Sequence, residues 1–479
     1  MLTAVVILIG MSIRHVLLIC AVLSLLTMPV ASLSGQTIEP AITVGPYTQN
    51  ATREAVTIIW ETAAPTDDNT VEYGSDDTYG FIQPAPSGGT HHEVVIHPEM
   101  ATGRYRVVSD DVASPGFSFQ LAPACTSDVT VVVYGDSRGS WDSWEHAALV
   151  ADAATAAAPD VAIHGGDMVD DGRVSEQWEY WLNATKPLMQ NATLYGVLGN
   201  HEYNGSRYYD LFALPGNEMW YSFDYGPCHF VVLDNYRPWG ERSVQYAWLH
   251  DDLAGSMQPF TIVCFHEPIY CSGGHLPRVD VRAVWEPLFI EYGVDLVFQS
   301  HCHYYQRTDP INGVFYVVTG GGGAPLYAPE DAWYVNTSSE TFHYCQLDVS
   351  PGDMTATVSA YDIDGALLDR FTVTSEAAPD IAIVRPGPGL YLFNRRVMPL
   401  PSTVVVGAVD VEAQVSTCGT SIQRVVFSMD NDTVHEDAVP PYRWQFDLSA
   451  FGHHTVTAAA YDPAGEVART SQDMFIVNL

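Results

Sequence analysis

Val129-Thr-Val-Val-Val-Tyr-Gly-Asp136 is a run of apolar, mostly β-branched residues that ends on a glycine and a carboxylate. Four later stretches repeat the pattern: Val161-Ala-Ile-His-Gly-Gly-Asp167, Leu194-Tyr-Gly-Val-Leu-Gly-Asn-His-Glu202, Thr261-Ile-Val-Cys-Phe-His266 and Val294-Asp-Leu-Val-Phe-Gln-Ser-His-Cys-His303. Short runs of this kind read as strands buried on both faces, over 129–134, 161–164, 194–198, 261–265 and 294–298. Each polar cluster then falls at a strand's C-terminal end. In open α/β sheets that edge is where ligands bind.

The residue types explain why they belong together. Two divalent ions roughly 3.5–4 Å apart need a bridging group, which a carboxylate supplies while imidazoles and an amide oxygen fill the outer positions. Asp167 is the natural bridge. Such a pair lowers the pKa of bound water from 15.7 toward about 7 and clamps the oxygens of an in-line phosphoryl displacement. That is the chemistry of phosphate ester hydrolysis. A lone Asp after a glycine is usually a turn or cap residue, but five such clusters in series argue against coincidence.

The ordered set Asp136, Asp167, Asn200-His201-Glu202, His266, His301-x-His303 resembles the calcineurin-like metallophosphoesterase superfamily, and within it the purple acid phosphatase branch. The similarity runs from about Thr126 to Ser375, through Tyr221-Ser-Phe-Asp-Tyr-Gly, Val231-Val-Leu-Asp-Asn, Gln245-Tyr-Ala-Trp-Leu and Thr319-Gly-Gly-Gly-Gly-Ala-Pro-Leu-Tyr. The resemblance implies two metal ions, drawn from Fe, Mn and Zn. Asp136, Asp167 and His303 would hold the first, and Asp167, Asn200, His266 and His301 the second. It also implies attack of a metal-bound hydroxide on a phosphomonoester, with Asn200 orienting the ester and His201 contacting phosphate and protonating the leaving group. A phosphodiesterase or nucleotidase of the same fold is the near alternative. A surface binding protein with an inactive phosphoesterase domain is the alternative of another class.

Two positions depart from the pattern. Where the branch has a Tyr three residues after the bridging Asp, this chain has Asp170, so no purple chromophore is expected. Where other metallophosphoesterases carry a His two residues after the first Asp, it has Arg138. The first metal keeps three protein ligands unless Asp170, Ser137 or a water completes it. Arg138 itself has two readings, a fork for phosphate oxygens or an ion pair with a nearby acid. His164 is expected to face the core, Cys302 to point away from the metals, and the Gly320–Gly323 run to form a loop lining the site. Trp178, Trp181, Tyr208 and Tyr209 read as core residues.

A net charge of -37 with Lys186 as the one lysine excludes nucleic-acid backbone binding as a main role. Such a surface also disfavours anionic membranes. Arg14 and His15 precede an apolar run from Val16 to Val30, which reads as a secretory signal peptide over residues 1–34, with Met11 as a candidate true start. An uncleaved anchor is the alternative reading. Export to the cell surface or beyond follows as the expected location. Beyond Cys20, seven cysteines remain, with no zinc-type spacing and no legible pairing.

The fold class expected is multidomain: a central α/β metallophosphoesterase sandwich, two mixed sheets flanked by helices, between two all-β sandwich domains. Alternating segments over residues 38–123 resemble the fibronectin-type-III-like domain that precedes the catalytic domain in purple acid phosphatases. The catalytic domain spans 126–375 and a linker 376–389. Residues 390–479 alternate again and resemble an immunoglobulin-like module. Contact with a cell envelope or polymer and simple spacing are both open for that module. The expected small-molecule partner is a phosphate ester.

Overall fold

The computed structural model describes residues 41–203, 205–256, 258–375, 380–416, 422–462 and 465–478. The apolar run read as a signal peptide, together with Asn204 and Cys418, lies outside them.

Two mixed sheets form the centre. In the first, the strands Thr193–Gly196, Val161–His164 and Val129–Tyr134 run parallel, and the antiparallel strands His343–Ser350, Thr355–Asp362 and Leu367–Thr374 extend the sheet. In the second, Cys228–Val232, Phe260–Phe265, Leu296–Gln299 and Phe315–Thr319 are parallel, with Tyr221–Tyr225 and Tyr305–Thr308 pairing antiparallel. The parallel strands are buried residue after residue, as their unbroken apolar runs require. Parallel strands need crossovers, supplied by helices such as Glu145–Ala156, Ser175–Met189 and Val279–Glu291.

Trp178, Trp181 and Tyr208 are fully buried, while Tyr209 is half-buried and packs against that core. Trp181 also does polar work, donating its indole N–H to Ser137 Oγ at 3.0 Å.

Upstream, strands Ile42–Gln49, Val56–Thr66 and Gly89–Ile96 form one sheet, and Asn69–Gly74, Phe81–Pro84 and Thr102–Ser109 belong to a second. This sandwich shares one continuous apolar core with the first central sheet. Polar ties cross the junction. Tyr47 donates to the Leu211 carbonyl at 2.8 Å, Gln49 to the Leu194 carbonyl at 2.9 Å, and Arg207 pairs with Glu61 through both Nη atoms.

Downstream, Asp380–Arg385 pairs with Val409–Ser416, so part of the segment read as linker is a strand of the C-terminal module. A seven-stranded sheet ending in Gly465–Asn478 covers its core. Among the described residues, no helix is long and apolar enough to cross a membrane.

Glu61 gives the junction a pH signature. Burial acts to raise its pKa, but the His91 imidazole 3.5 Å away and the hydrogen bonds from Arg207 outweigh it and hold the carboxyl at about 2, against an ordinary 4.5. A group depressed on folding adds stability above its unfolded pKa and loses it as pH falls through the folded value. We expect Glu61→Gln to cost about 1–3 kcal/mol at neutral pH by leaving Arg207 short of a partner, and to flatten the fall of stability between pH 4.5 and 2. Denaturant titration across that range checks both.

Candidate metal centre

The loops that leave the parallel strands of both sheets meet at one point. Asp136 and Asp167 arrive from the first sheet on turns two and three residues past their strands; His266, His301 and His303 arrive from the second. Asp136, Asp167, His266 and His303 are buried and His301 is half-buried. His303 Nε2 lies 3.5 Å and His266 Nε2 3.9 Å from Asp136 Oδ1. His266 Nε2 is 3.4 Å from Asp167 Oδ1 and 3.2 Å from His301 Nδ1. Donor atoms of Asp167, His266 and His301 all fall within 4.8 Å of one another.

Backbone geometry marks the same residues. Asp136, Asp167 and His301 have φ of 60°, 55° and 66°, a left-handed conformation uncommon for side-chain-bearing residues and concentrated at functional sites. Gly199 permits the close approach of the third loop: a Cβ there would stand 2.3 Å from Asp167 Oδ1 and 2.5 Å from its backbone nitrogen.

Glu202 locks these turns together. Its carboxylate accepts the backbone N–H groups of Asp167 at 3.0 Å, Met168 at 2.8 Å and Gly199 at 2.6 Å. The third member of the Asn200-His201-Glu202 triplet is thus a positioning residue. The imidazoles are aimed by their far nitrogens: His266 Nδ1 donates to the Gly165 carbonyl at 2.8 Å, and His303 Nδ1 to the Pro325 carbonyl at 2.6 Å. That is the outer-shell bonding that presents Nε2 to a cation.

Electrostatics point the same way. Burial disfavours charge on His266, yet Asp167 and Asp136 overcome it and push the imidazole up to about 10. His301, desolvated and facing His266, is driven down to about 2. Burial opposes the charge on Asp167 too, but His266 and His201 keep it below the usual carboxylate range. Asp136 Oδ1 has no hydrogen-bond donor at all. Two donors on one ion, each at about 2.1 Å, can be at most about 4.2 Å apart, which the Asp136–His303 separation satisfies; the mixed carboxylate and imidazole set suits Fe, Mn or Zn. The residues fit metal ions.

The remaining expected site residues stand around this pocket. Asn200 lies half-buried at the rim, its Oδ1 accepting the Tyr236 hydroxyl at 3.2 Å. His201 donates from Nδ1 to the Asp170 carbonyl at 2.6 Å, which leaves Nε2 3.8 Å from Asp167 Oδ2. Arg138 pairs with Asp170 through Nη1 at 3.2 Å, while its Nε, 3.9 Å from Asp167 Oδ2, has no hydrogen-bond partner. Both readings of Arg138 thus have a counterpart.

Asp170 spends its other oxygen on the Ser140 N–H at 3.0 Å. Ser137 Oγ bonds His164 Nε2 at 2.7 Å and the Trp181 indole, and His164 Nδ1 accepts the Gly166 N–H. Both side chains are already hydrogen-bonded, and His164 lies beneath the site, bonded to Ser137. The glycine run 320–323 is buried rather than open. It packs behind the Asp136 turn, with Gly322 N–H donating to the Gly135 carbonyl at 2.9 Å.

Three rim residues had no role assigned from the sequence. His275 packs tilted against His301 with centroids 4.0 Å apart, and Tyr327 stacks on His303 at 4.2 Å. Tyr236 is the third. A lone His after two glycines and a lone Tyr look like any loop residue; only the Tyr327 motif had been singled out.

Comparisons with known proteins agree with this geometry. The calcineurin-like phosphoesterase family matches residues 126–305, and a bacterial Ig domain matches residues 397–458. Purple acid phosphatase 15 of Arabidopsis thaliana is 32% identical over 182 residues, covering 33% of this chain and 34% of its own length. The purple acid phosphatase of Glycine max is 26% identical over 312 residues, covering 57% of this chain and 67% of its own length. The solved purple acid phosphatase from yellow lupin seeds superposes with a TM-score of 0.62 at 19% identity, over 69% of this chain and 74% of that one. The chain contains a calcineurin-like phosphoesterase domain, related to those of purple acid phosphatases, and a C-terminal bacterial Ig domain. It spans about a third of the length of the first of these relatives.

Gly199→Ala tests the close packing of the turns. The added methyl must displace Asp167, and we expect metal affinity to fall roughly 10–100-fold, as for lost outer-shell support. Metal titration followed by calorimetry, with far-ultraviolet circular dichroism as the control for folding, reads the result.

Proposed function

We propose that this chain is a binuclear-metal phosphoesterase acting on phosphomonoesters. The observation that carries the reading is the convergence of Asp136, Asp167, His266, His301 and His303 on one pocket, in which a buried carboxylate oxygen lacks any donor. We assign Asp136, Asp167 and His303 to a first ion and Asp167, Asn200, His266 and His301 to a second, with Fe, Mn and Zn as the candidates. Bound there, such ions would polarise phosphoryl oxygens and bring the pKa of water from 15.7 toward about 7.

The chain's own groups do the rest. Arg138, tethered by Asp170, has an unpartnered Nε to offer a phosphate oxygen, and its fixed charge suits that ligand. Tyr236 helps to fix the Asn200 side chain by donating to its Oδ1. With Nδ1 committed to the Asp170 carbonyl, His201 presents Nε2 to a leaving-group oxygen and can donate a proton there. Tyr236 and Tyr327 wall the mouth.

The reading extends to an exported protein, on the strength of the apolar run Val16–Val30. Its domains would be 38–123, 126–375 and 390–479 around a short linker. The C-terminal module would space the catalytic domain or hold it against an envelope or polymer. Among the described residues, that module has no group of potential metal ligands.

Aryl phosphate mono- and diesters, assayed with added Mn, Zn or Fe, test the reading. We expect turnover of the monoester that Asn200→Ala abolishes; a preference for the diester would move the assignment to a phosphodiesterase, and no turnover with any metal would overturn it in favour of an inactive binding domain. His201→Ala should lower kcat by roughly 10²–10⁴-fold on an alkyl phosphate and far less on nitrophenyl phosphate, whose leaving group needs no proton. Arg138→Ala should raise KM about 10–100-fold, the loss of one charge-assisted bond, and Arg138→Lys should not restore it.

A further inference from the structure

Cys302 lies between His301 and His303 but turns away from them. With Cys271, Tyr304 and Val318 it forms a small buried cluster of its own, apart from the main cores, with Tyr327 packed against it. Cys271 and Cys302 are 1% and 0% exposed, and both are free thiols packed within that one cluster. Cys271 opens the loop that carries His275, whose carbonyl accepts from Cys271 Sγ at 3.5 Å.

That loop is a Gly-rich segment without regular structure. Gly273 and Gly274 both adopt positive φ, 86° and 72°. It is held against the His301–Tyr304 segment mainly by Tyr304, whose hydroxyl accepts the Ser272 N–H at 2.9 Å and donates to the Gly273 carbonyl at 3.1 Å. The two cysteines lie at the same seam, Cys271 beside Ser272 and Gly273 on one side and Cys302 two residues before Tyr304 on the other, in one buried cluster. The other central cysteines sit elsewhere: Cys264 is buried within its strand, and Cys345 donates its thiol to Thr319 Oγ1 at 3.5 Å.

We propose that Cys271 and Cys302 are a disulfide pair that fastens the His301–His303 turn to the loop carrying His275. The chemistry is thiol–disulfide exchange with a small disulfide such as oxidised glutathione. Both S–H bonds break, one Cys271–Cys302 S–S bond forms, and the reagent's own S–S bond takes up the two electrons and both protons to leave two thiols. Closure occurs during folding, while both sulfurs are accessible; burial then shields the bond. An oxidising compartment preserves it. The importance of the fastened turn rests on the reading of His301 and His303 as metal ligands, but the bond itself does not.

The full chain is refolded with oxidised glutathione or with an excess of reductant, denatured, alkylated without further reduction, digested and mapped by mass spectrometry. The glutathione sample should yield a Cys271–Cys302 cross-linked peptide lighter by two hydrogens than the sum of its parts, and the reduced sample two alkylated peptides. Thermal melts in chelator, which need neither metal nor turnover, supply the second readout. Reduction should lower Tm for the wild-type chain and leave the double variant Cys271→Ser, Cys302→Ser unmoved. Alkylation of both cysteines in the glutathione sample, pairing of either with another cysteine, or an equal Tm shift in both proteins overturns the proposal. Failure of the phosphatase assays would leave the cross-link result standing.

Discussion

Two carboxylates, Asp136 and Asp167, are buried a few ångströms from the same imidazole. Taking one such charge out of water costs several kcal/mol even after relaxation, and a second beside it costs more. Opposite charge must be supplied at that point. Cations at the same place would supply it, with the imidazoles of His301 and His303 as ready donors. Much of the central architecture can be read as the scaffold that holds this charge imbalance in place. The two parallel strand sets bring the loops together, Glu202 ties three backbone N–H groups across them, and the His164–Ser137–Trp181 chain supports the floor.

The geometry is paid for in backbone conformation. Three of the acidic and imidazole positions adopt left-handed φ, and glycines stand where neighbouring loops touch. Such strain persists only where the surroundings over-determine it. Buried strands on one side and the glycine run 320–323 on the other provide that constraint. The run reads from the sequence as a loop lining the site, and its value lies in the missing side chains: a Cβ on Gly320 would stand 2.3 Å from the Cys302 carbonyl and 2.8 Å from Asp136 Oδ2.

Strand identity was legible because unbroken β-branched runs have few other uses, and the strands 129–134 and 161–164 were readable to the residue. The others shifted by one or two positions, since hydrogen-bonded pairing, not hydrophobicity, ends a strand. Asp380–Arg385 escaped notice because the Ala, Pro and Gly around it look like a linker, while its partner Val409–Ser416 lies some thirty residues away. Glu202 stood in plain view within its motif. Its function could not be read there, because it is spent on the backbone of a different loop.

What the amino-acid order determined by itself is local: which runs become buried strands, and which donor side chains leave their C-terminal ends, because side-chain chemistry and backbone preference act over a few residues. Tertiary structure alone decided that Arg138 is tethered by Asp170, that Ser137 and Asp170 are already engaged, that His275, Tyr236 and Tyr327 border the pocket, and that Cys271 meets Cys302. Each of those facts is a contact between residues some 24 to 44 positions apart, or the competition of several partners for one group. Such contacts are set by the packing of two sheets against each other, a property of the assembled chain that no single segment carries.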